Sequence, residues 1–316
     1  MKILVTGGAG FIGSNLVPHL AELGHEVVVL DDLSSGQTAP TARPRVRFRR
    51  GDFLNQAKLG ECLDGSDVVV HLAAMSGVID SVADPAACFA TNVEGTFRLL
   101  ELARRCGIKQ FVNASTGGAI LGEVTPPISE AMAPMPLSPY GASKLATEGF
   151  CSAYFGSYGL RCLSLRFSNI YGPHSAHKKS VVAAFIKDAL HNEPLLVYGD
   201  GTQQRDYLYV GDLVRGIAAG IASGTTGTFQ LGSGRPTALL ALIQALETIC
   251  DRRLEVRYAP RRSAEIHSTW CDISKAGSEF AYTAPTTLVQ GLRQTWDWFA
   301  ANAPAWSRQK VLTAAD

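Results

Sequence analysis

Lys2-Ile3-Leu4-Val5 runs without a break into Thr6-Gly7-Gly8-Ala9-Gly10-Phe11-Ile12-Gly13, and that junction constrains the fold more than any other stretch of the chain. A short apolar run that ends in spaced glycines and opens an amphipathic helix reads as strand, tight turn and helix N-terminus. Gly7, Gly10 and Gly13 let the backbone turn sharply and approach a ligand, while the helix end offers free N–H groups and a partial positive charge. Such a junction suits a dinucleotide pyrophosphate. Asp31 ends the next strand. A carboxylate there accepts hydrogen bonds from an adenosine ribose diol and repels a 2′-phosphate. No Arg stands in Asp32-Leu33-Ser34-Ser35, so NAD is expected rather than NADP. Asp52-Phe53, after the third strand, either frames the adenine or is simply a strand-end acid.

The rhythm that follows supports this fold. Residues 3–6, 26–30, 46–49, 68–71, 111–114 and 161–166 read as strands, with helices expected at 11–23, 88–106 and 139–158. Alternating strands and helices imply an α/β protein with a doubly wound parallel sheet of Rossmann type, covered on both faces. Runs such as Val27-Val28-Val29-Leu30 fit strands buried on both sides. Beyond Phe167 the pattern becomes irregular, with helices expected at 181–190, 210–221 and 239–250. Residues 1–167 are therefore read as the nucleotide-binding domain, joined by a return segment near 205–230. Residues 168–204 and 231–316 are read as a smaller, mixed substrate-binding region.

Composition narrows the class. A formal net charge of +1 gives no global case for binding nucleic acid or a membrane surface. No apolar run approaches the roughly 18 residues of a membrane span, and no secretory leader is expected, because the first strand begins at once. The seven cysteines are scattered, with no Cys-x-x-Cys pair. They read as buried hydrophobes in a reducing compartment, and a cytoplasmic location is expected. No metal site is expected.

The chemistry-bearing signal lies mid-chain in Tyr140-Gly141-Ala142-Ser143-Lys144. Tyr140 and Lys144 share one helix face at i, i+4 spacing. A free phenol titrates near ~10 and is a poor base at neutral pH. A close ammonium, joined by a cationic nicotinamide, favours the phenolate, which can take a proton from an alcohol as hydride leaves its carbon. Ser115-Thr116 follows the strand at 111–114, at the rim where such sheets bind ligands. Thr116 is the expected catalytic hydroxyl, with Ser115 beside it.

With these motifs in order, the chain resembles the extended short-chain dehydrogenase/reductase family, in its nucleotide-sugar epimerase and dehydratase branch. The resemblance spans nearly the whole chain. It includes Asp31-Asp32-Leu33-Ser34-Ser35-Gly36, His71-Leu72-Ala73-Ala74, Asn92-Val93-Glu94-Gly95-Thr96, Arg166-Phe167-Ser168-Asn169-Ile170-Tyr171-Gly172-Pro173 and Gly199-Asp200-Gly201-Thr202-Gln203-Gln204-Arg205-Asp206-Tyr207. It implies that Phe11, Ile12, Asp32, Ser35, Gly36, Leu72, Ala73, Ala74 and Asn92 join the NAD contacts, with Tyr140 and Lys144. It also implies a UDP-sugar substrate: Asn169 at the phosphates, Tyr198 by the uracil, Arg205 and Arg262 on the diphosphate, with Ser115, Val182, Glu265 and Thr269 completing the pocket. A homodimer through the helices at 88–106 and 139–158 is implied as well.

The reaction is narrowed by what the loop lacks. Family members that remove water from carbons 4 and 6 follow the catalytic Thr with an acidic pair, and decarboxylating relatives tend to carry a Glu there. Here Thr116 is followed by Gly117-Gly118. What remains is oxidation at carbon 4, rotation of the ketose and return of hydride to the other face, the work of a 4-epimerase. Dehydratase, decarboxylase, reductase and a non-catalytic NAD sensor are the alternatives. In the loop, Leu121 stands where relatives carry Tyr, and Glu123 lies just beyond. Thr269, at the position that gates the 2-substituent, leaves room for an N-acetyl group. His174, His177, Lys178 and Lys179 crowd a loop expected near carbon 6, where they either form a solvated basic loop or suit a uronate carboxylate. UDP-glucose/galactose, UDP-glucuronate/galacturonate and the N-acetylhexosamine pair all remain open.

Overall fold

The computed structural model describes residues 1–34, 39, 42–261 and 267–303. Its core is a seven-stranded, wholly parallel sheet. The strands are β1 (Lys2–Thr6), β2 (Glu26–Asp31), β3 (Val46–Arg50), β4 (Val68–His71), β5 (Gln110–Thr116), β6 (Arg161–Phe167) and a last strand, Gly227–Leu231. In space they run β3, β2, β1, β4, β5, β6, Gly227–Leu231. The order reverses between β1 and β4, which opens a crevice at their C-terminal ends. Central strands are apolar because both faces are covered: every residue of β4 is buried. The edge strand β3 carries Arg47, Arg49 and Arg50, charges that discourage pairing with a further strand.

Helix α1 (Phe11–Glu22) and helix Val210–Ser223 pack on one face, closing a core around Val5, Val29, Leu165 and Ile217. On the other, helices Gln56–Leu63, Gly95–Arg105 and Pro139–Tyr158 cover Leu4, Val69 and Phe111. A separate apolar cluster lies among helices Val181–Leu190, Leu239–Cys250 and Leu288–Ala301. Among the described residues, no helix is long and apolar enough to cross a membrane.

Several expected elements are corrected. The helix expected at 88–106 is three pieces: Pro85–Cys88, a π-helical turn Phe89–Glu94, and Gly95–Arg105. Asp84 starts the first piece by accepting from the Ala87 N–H (2.9 Å), with Pro85 at the first position. The widened turn carries Asn92, whose amide bonds inward. Strand β5 runs on to Thr116, so Ser115 and Thr116 belong to the strand rather than follow it. Strand Gly227–Leu231, which periodicity did not reveal, pairs in parallel with β6.

Candidate functional site

The ends of β1, β4, β5 and β6 open onto a cleft of about 650 Å³. Its lining runs from Asp31, Asp32 and Asp52, past Gly7, Gly10, Phe11, Ile12 and Gly13, to Ser115, Thr116, Tyr140, Lys144 and Asn169. The glycine turn is backbone-made. Gly7 has φ +69°, and a Cβ there would stand 2.6 Å from the Ala73 nitrogen; one on Gly13 would stand 2.4 Å from Gly8 Cα. Helix α1 begins after Gly10 with no side-chain cap and no acid in its first turn. Its N–H groups and positive end are thus left for an anion.

Asp31 is buried, and both of its oxygens are oriented by backbone: Oδ2 accepts from Ala9 N–H (2.9 Å) and Oδ1 from Leu33 N–H (2.8 Å). Each oxygen keeps a lone pair for a ribose hydroxyl. Asp32 and Asp52 are exposed at the cleft, while Phe53 is buried with its ring edge-on to His71. Leu72, Ala73 and Ala74 line the wall after β4. Asn92 does not line the cleft. It is 1% exposed and clamps both backbone groups of Met75, while also donating to Ser143 Oγ. Ser35 and Gly36 lie outside the described residues. The turn, the helix end and Asp31 together fit a dinucleotide.

Ser138 caps helix Pro139–Tyr158 by accepting from Gly141 N–H (3.1 Å), which sets Tyr140 in the first turn and Lys144 one turn on. The Lys144 Nζ donates to the Ala114 carbonyl (2.8 Å) at the end of β5. Burial lowers the Lys144 pKa to about 8 and raises that of Tyr140 to about 12. Both shifts favour neutral forms. The lowering of the phenol expected from Lys144 is therefore not seen in the protein alone, where burial and Cys88 raise it.

At the other end, Asn169 is exposed in the cleft and Thr116 is half-buried there. Ser115 lines the cleft, but its hydroxyl is taken up by Glu148, donating to Oε1 (2.6 Å). Val182 is 2% exposed inside the C-terminal apolar cluster, and Ser180 lines the cleft instead. Arg205 sits in the two-residue strand Gln204–Arg205, its guanidinium donating to the Gln204 and His267 carbonyls (2.8 and 3.1 Å). Tyr198 ends strand Leu195–Tyr198 and is half-buried. Neither Arg205 nor Tyr198 is among the residues lining the cleft. Arg262 and Glu265 lie outside the described residues.

The loop after Thr116 is closely packed. A Cβ on Gly117 would meet Gln230 Oε1 at 2.7 Å and Ile128 Cδ1 at 3.0 Å, whereas at Gly118 the nearest atom is Thr269 Oγ1, at 3.8 Å. Leu121 is fully buried against Ile128 and Cys271. Glu123 is exposed and off the cleft. Among the described residues, the carboxylates lining the cleft are Asp31, Asp32 and Asp52, all at the end that suits adenosine. The basic loop splits: His174 packs on Trp298 (4.8 Å) and Lys179 reaches Asp80 (3.5 Å), while His177 and Lys178 line the cleft. Partial burial, then Lys178 and Lys187, hold the His177 pKa below its ordinary value. Met75, Ser76, Thr91 and Ser168 also line the cleft, unassigned from sequence; among the described residues Ser168 Oγ is buried without a hydrogen-bond partner. Among the described residues, no group of three His, Cys, Asp or Glu is disposed to hold a metal ion.

Residues 3–232 match the model of the NAD dependent epimerase/dehydratase family. A putative UDP-glucose 4-epimerase of Methanocaldococcus jannaschii is 34% identical, over 95% of this chain and 99% of its own length. A dTDP-glucose 4,6-dehydratase of an Actinoplanes species is 32% identical, over 97% and 100%. Among solved structures, UDP-glucose 4-epimerase of Thermotoga maritima with UDP-glucose superposes with a TM-score of 0.91 at 36% identity, covering 96% of this chain and 100% of that one. UDP-glucuronic acid 4-epimerase of Bacillus cereus, in complex with UDP-glucuronic acid and NAD, gives 0.86 at 32%, covering 95% and 99%.

Proposed function

The chain belongs to the NAD-dependent epimerase/dehydratase family, and on that footing we propose that it interconverts UDP-sugars of opposite configuration at carbon 4. Its cofactor is NAD. The observation that carries the reading is the composition of the sugar end of the cleft: Thr116, Tyr140 and Lys144 meet there, and no described carboxylate does. Removal of water or carbon dioxide calls for a further acid or base, for which Gly117 and Gly118 offer no group.

The Gly7–Gly13 turn and the start of α1 would hold the pyrophosphate, Asp31 the adenosine ribose, and Asp52-Phe53 the adenine side. When bound, NAD would supply a reversible hydride acceptor and a positive charge. As the phenolate, which the positive charges of Lys144 and of bound NAD would favour over the neutral form, Tyr140 accepts the carbon-4 hydroxyl proton and returns it after the ketose has turned over. Thr116 orients that hydroxyl, and Lys144, held on the Ala114 carbonyl, keeps a cation beside the phenol.

Within the class, the lining of Lys178 favours a hexuronate, because Lys178 Nζ stands 3.4 Å from Ser76 Oγ at the cleft and offers a cation to a carboxylate. A homodimer is supported by exposed Phe89, Phe97, Phe155 and Tyr158 on the two helical segments that the resemblance pairs; light scattering at micromolar protein reads its mass. The reaction is tested by incubating purified protein, without added cofactor, with UDP-glucose, UDP-glucuronate and UDP-N-acetylglucosamine under proton NMR. A 4-epimer is expected. Loss of water or carbon dioxide as the sole product would overturn the assignment.

A further inference from the structure

Beneath the site lies a buried seam of polar residues in an otherwise apolar layer. Ser115 on β5 and Arg166 on β6 are register partners on adjacent strands. Both reach one carboxylate on the helix above: Ser115 Oγ donates to Glu148 Oε1 (2.6 Å), Arg166 Nε to the same oxygen (2.9 Å), and Arg166 Nη2 to Oε2 (2.8 Å). Arg166 and Glu148 are 5% and 7% exposed. Two residues back, the partners Asn113 and Ser164 repeat the arrangement, with Asn113 Nδ2 donating to Thr147 Oγ1 and Ser164 Oγ, both at 3.3 Å.

Such a seam is a poor way to gain stability. Removing two charges from water costs more than a well-packed apolar pair, and among the described residues Arg166 Nη1 is left buried without a partner. Its use is registry. Apolar side chains tolerate a slide of helix over strand, whereas a forked ion pair is satisfied at one position only. Tyr140, Lys144 and Glu148 follow one another at one-turn spacing on helix Pro139–Tyr158. Lys144 grips the carbonyl of Ala114 and Glu148 the hydroxyl of Ser115, consecutive residues of β5 that lead directly to Thr116.

We propose that Glu148, anchored by Arg166, is a positioning residue that sets the register of helix Pro139–Tyr158 against β5, and with it the distance from Tyr140 to Thr116. This rests on the 4-epimerase reading for its kinetic consequence, but not for its structural one.

The test compares the parent protein with Glu148→Gln and with the apolar pair Glu148→Leu, Arg166→Met. It reads kcat, KM, Tm, bound NAD and amide hydrogen exchange at residues 139–144. Glu148→Gln should lower kcat about tenfold with KM within about twofold, since a small misplacement of reacting groups acts on turnover. The apolar pair should restore Tm to the parent value or above, yet leave kcat low and exchange at 139–144 faster than in the parent. Recovery of kcat together with Tm would show a merely structural role and overturn the proposal. If the parent forms no 4-epimer, the reaction reading fails and Glu148 is judged on exchange alone. Faster exchange at 139–144 in both variants then supports its role in placement, and unchanged exchange overturns it.

Discussion

At the NAD end of the cleft, recognition is built from backbone: a glycine turn, the start of α1, and a carboxylate whose two oxygens are oriented by the Ala9 and Leu33 N–H groups. At the sugar end it is built from side chains that converge from β5, helix Pro139–Tyr158 and the segment after β6. The first arrangement is local and leaves little freedom, because a Cβ on Gly7 or Gly13 collides with backbone. The second is assembled from residues far apart in the chain, and single substitutions there can change chemistry while leaving the frame intact. A cofactor site of the first kind serves many reactions; the reaction itself is chosen at the second.

The sharpest way to separate the ends is Tyr140→Phe. Removing the phenol hydroxyl should cost about 10²–10⁴-fold in kcat, while NAD released on denaturation stays at the parent level. Near-parental turnover would remove Tyr140 from the mechanism. Gly13→Ala is the converse. Its Cβ would lie 2.4 Å from Gly8 Cα, so most bound NAD should be lost, and stability should fall by about 1–3 kcal/mol as in other overpacked sites.

These differences also explain what was legible beforehand. Spaced glycines after an apolar run have a local meaning, so the turn, α1 and Asp31 could be placed from sequence. Helix Pro139–Tyr158 was bounded for the same reason: Ser138 caps its start, and Gly159, at φ +71°, ends it. Val182 was expected in the pocket, yet its side chain lies in the apolar cluster, because neighbouring positions at the start of helix Val181–Leu190 point in different directions. The link from Ser115 to Glu148 needs three elements side by side, which spacing does not report. Strand Gly227–Leu231 begins Gly-Thr and buries only Phe229, Gln230 and Leu231, too short a signal for periodicity.

Within the sugar end, two adjacent glycines give a finer contrast. Gly117→Asp must displace Gln230 or Ile128 and should cost about 1–3 kcal/mol in denaturant titration. Gly118→Ala faces 3.8 Å of space before Thr269 Oγ1 and begins the short helix Gly118–Leu121. It should change stability by no more than about 1 kcal/mol. Equal effects would mean that the loop is not packed as described. Lys178→Ala asks about the sugar. KM for UDP-glucuronate should rise about tenfold, the worth of one charge-assisted hydrogen bond at a partly open site. KM for UDP-glucose should move by less than about twofold. A parallel rise for both sugars would assign Lys178 to the shared UDP portion.

The last effect concerns the NAD end and is read by pH. His71 is buried beneath the cleft, bonded to Thr6 Oγ1 (2.7 Å) and Thr96 Oγ1 (3.0 Å). Burial, with a lesser push from Lys144, holds its pKa down at about 3, against 6.5 for an ordinary histidine. The folded protein therefore refuses a proton that the unfolded chain accepts. The contribution of neutral His71 is whole above pH 6.5 and is lost progressively as pH falls from 6.5 towards 3. Tm should decline across that window, more steeply in the parent than in His71→Gln, which has no ring to protonate. Because Gln also forfeits the edge-on contact with Phe53, its Tm should start lower at pH 7.5, so the slope and not the absolute value is the measure. Equal slopes between pH 6.5 and 4 would assign the acid sensitivity to carboxylates elsewhere.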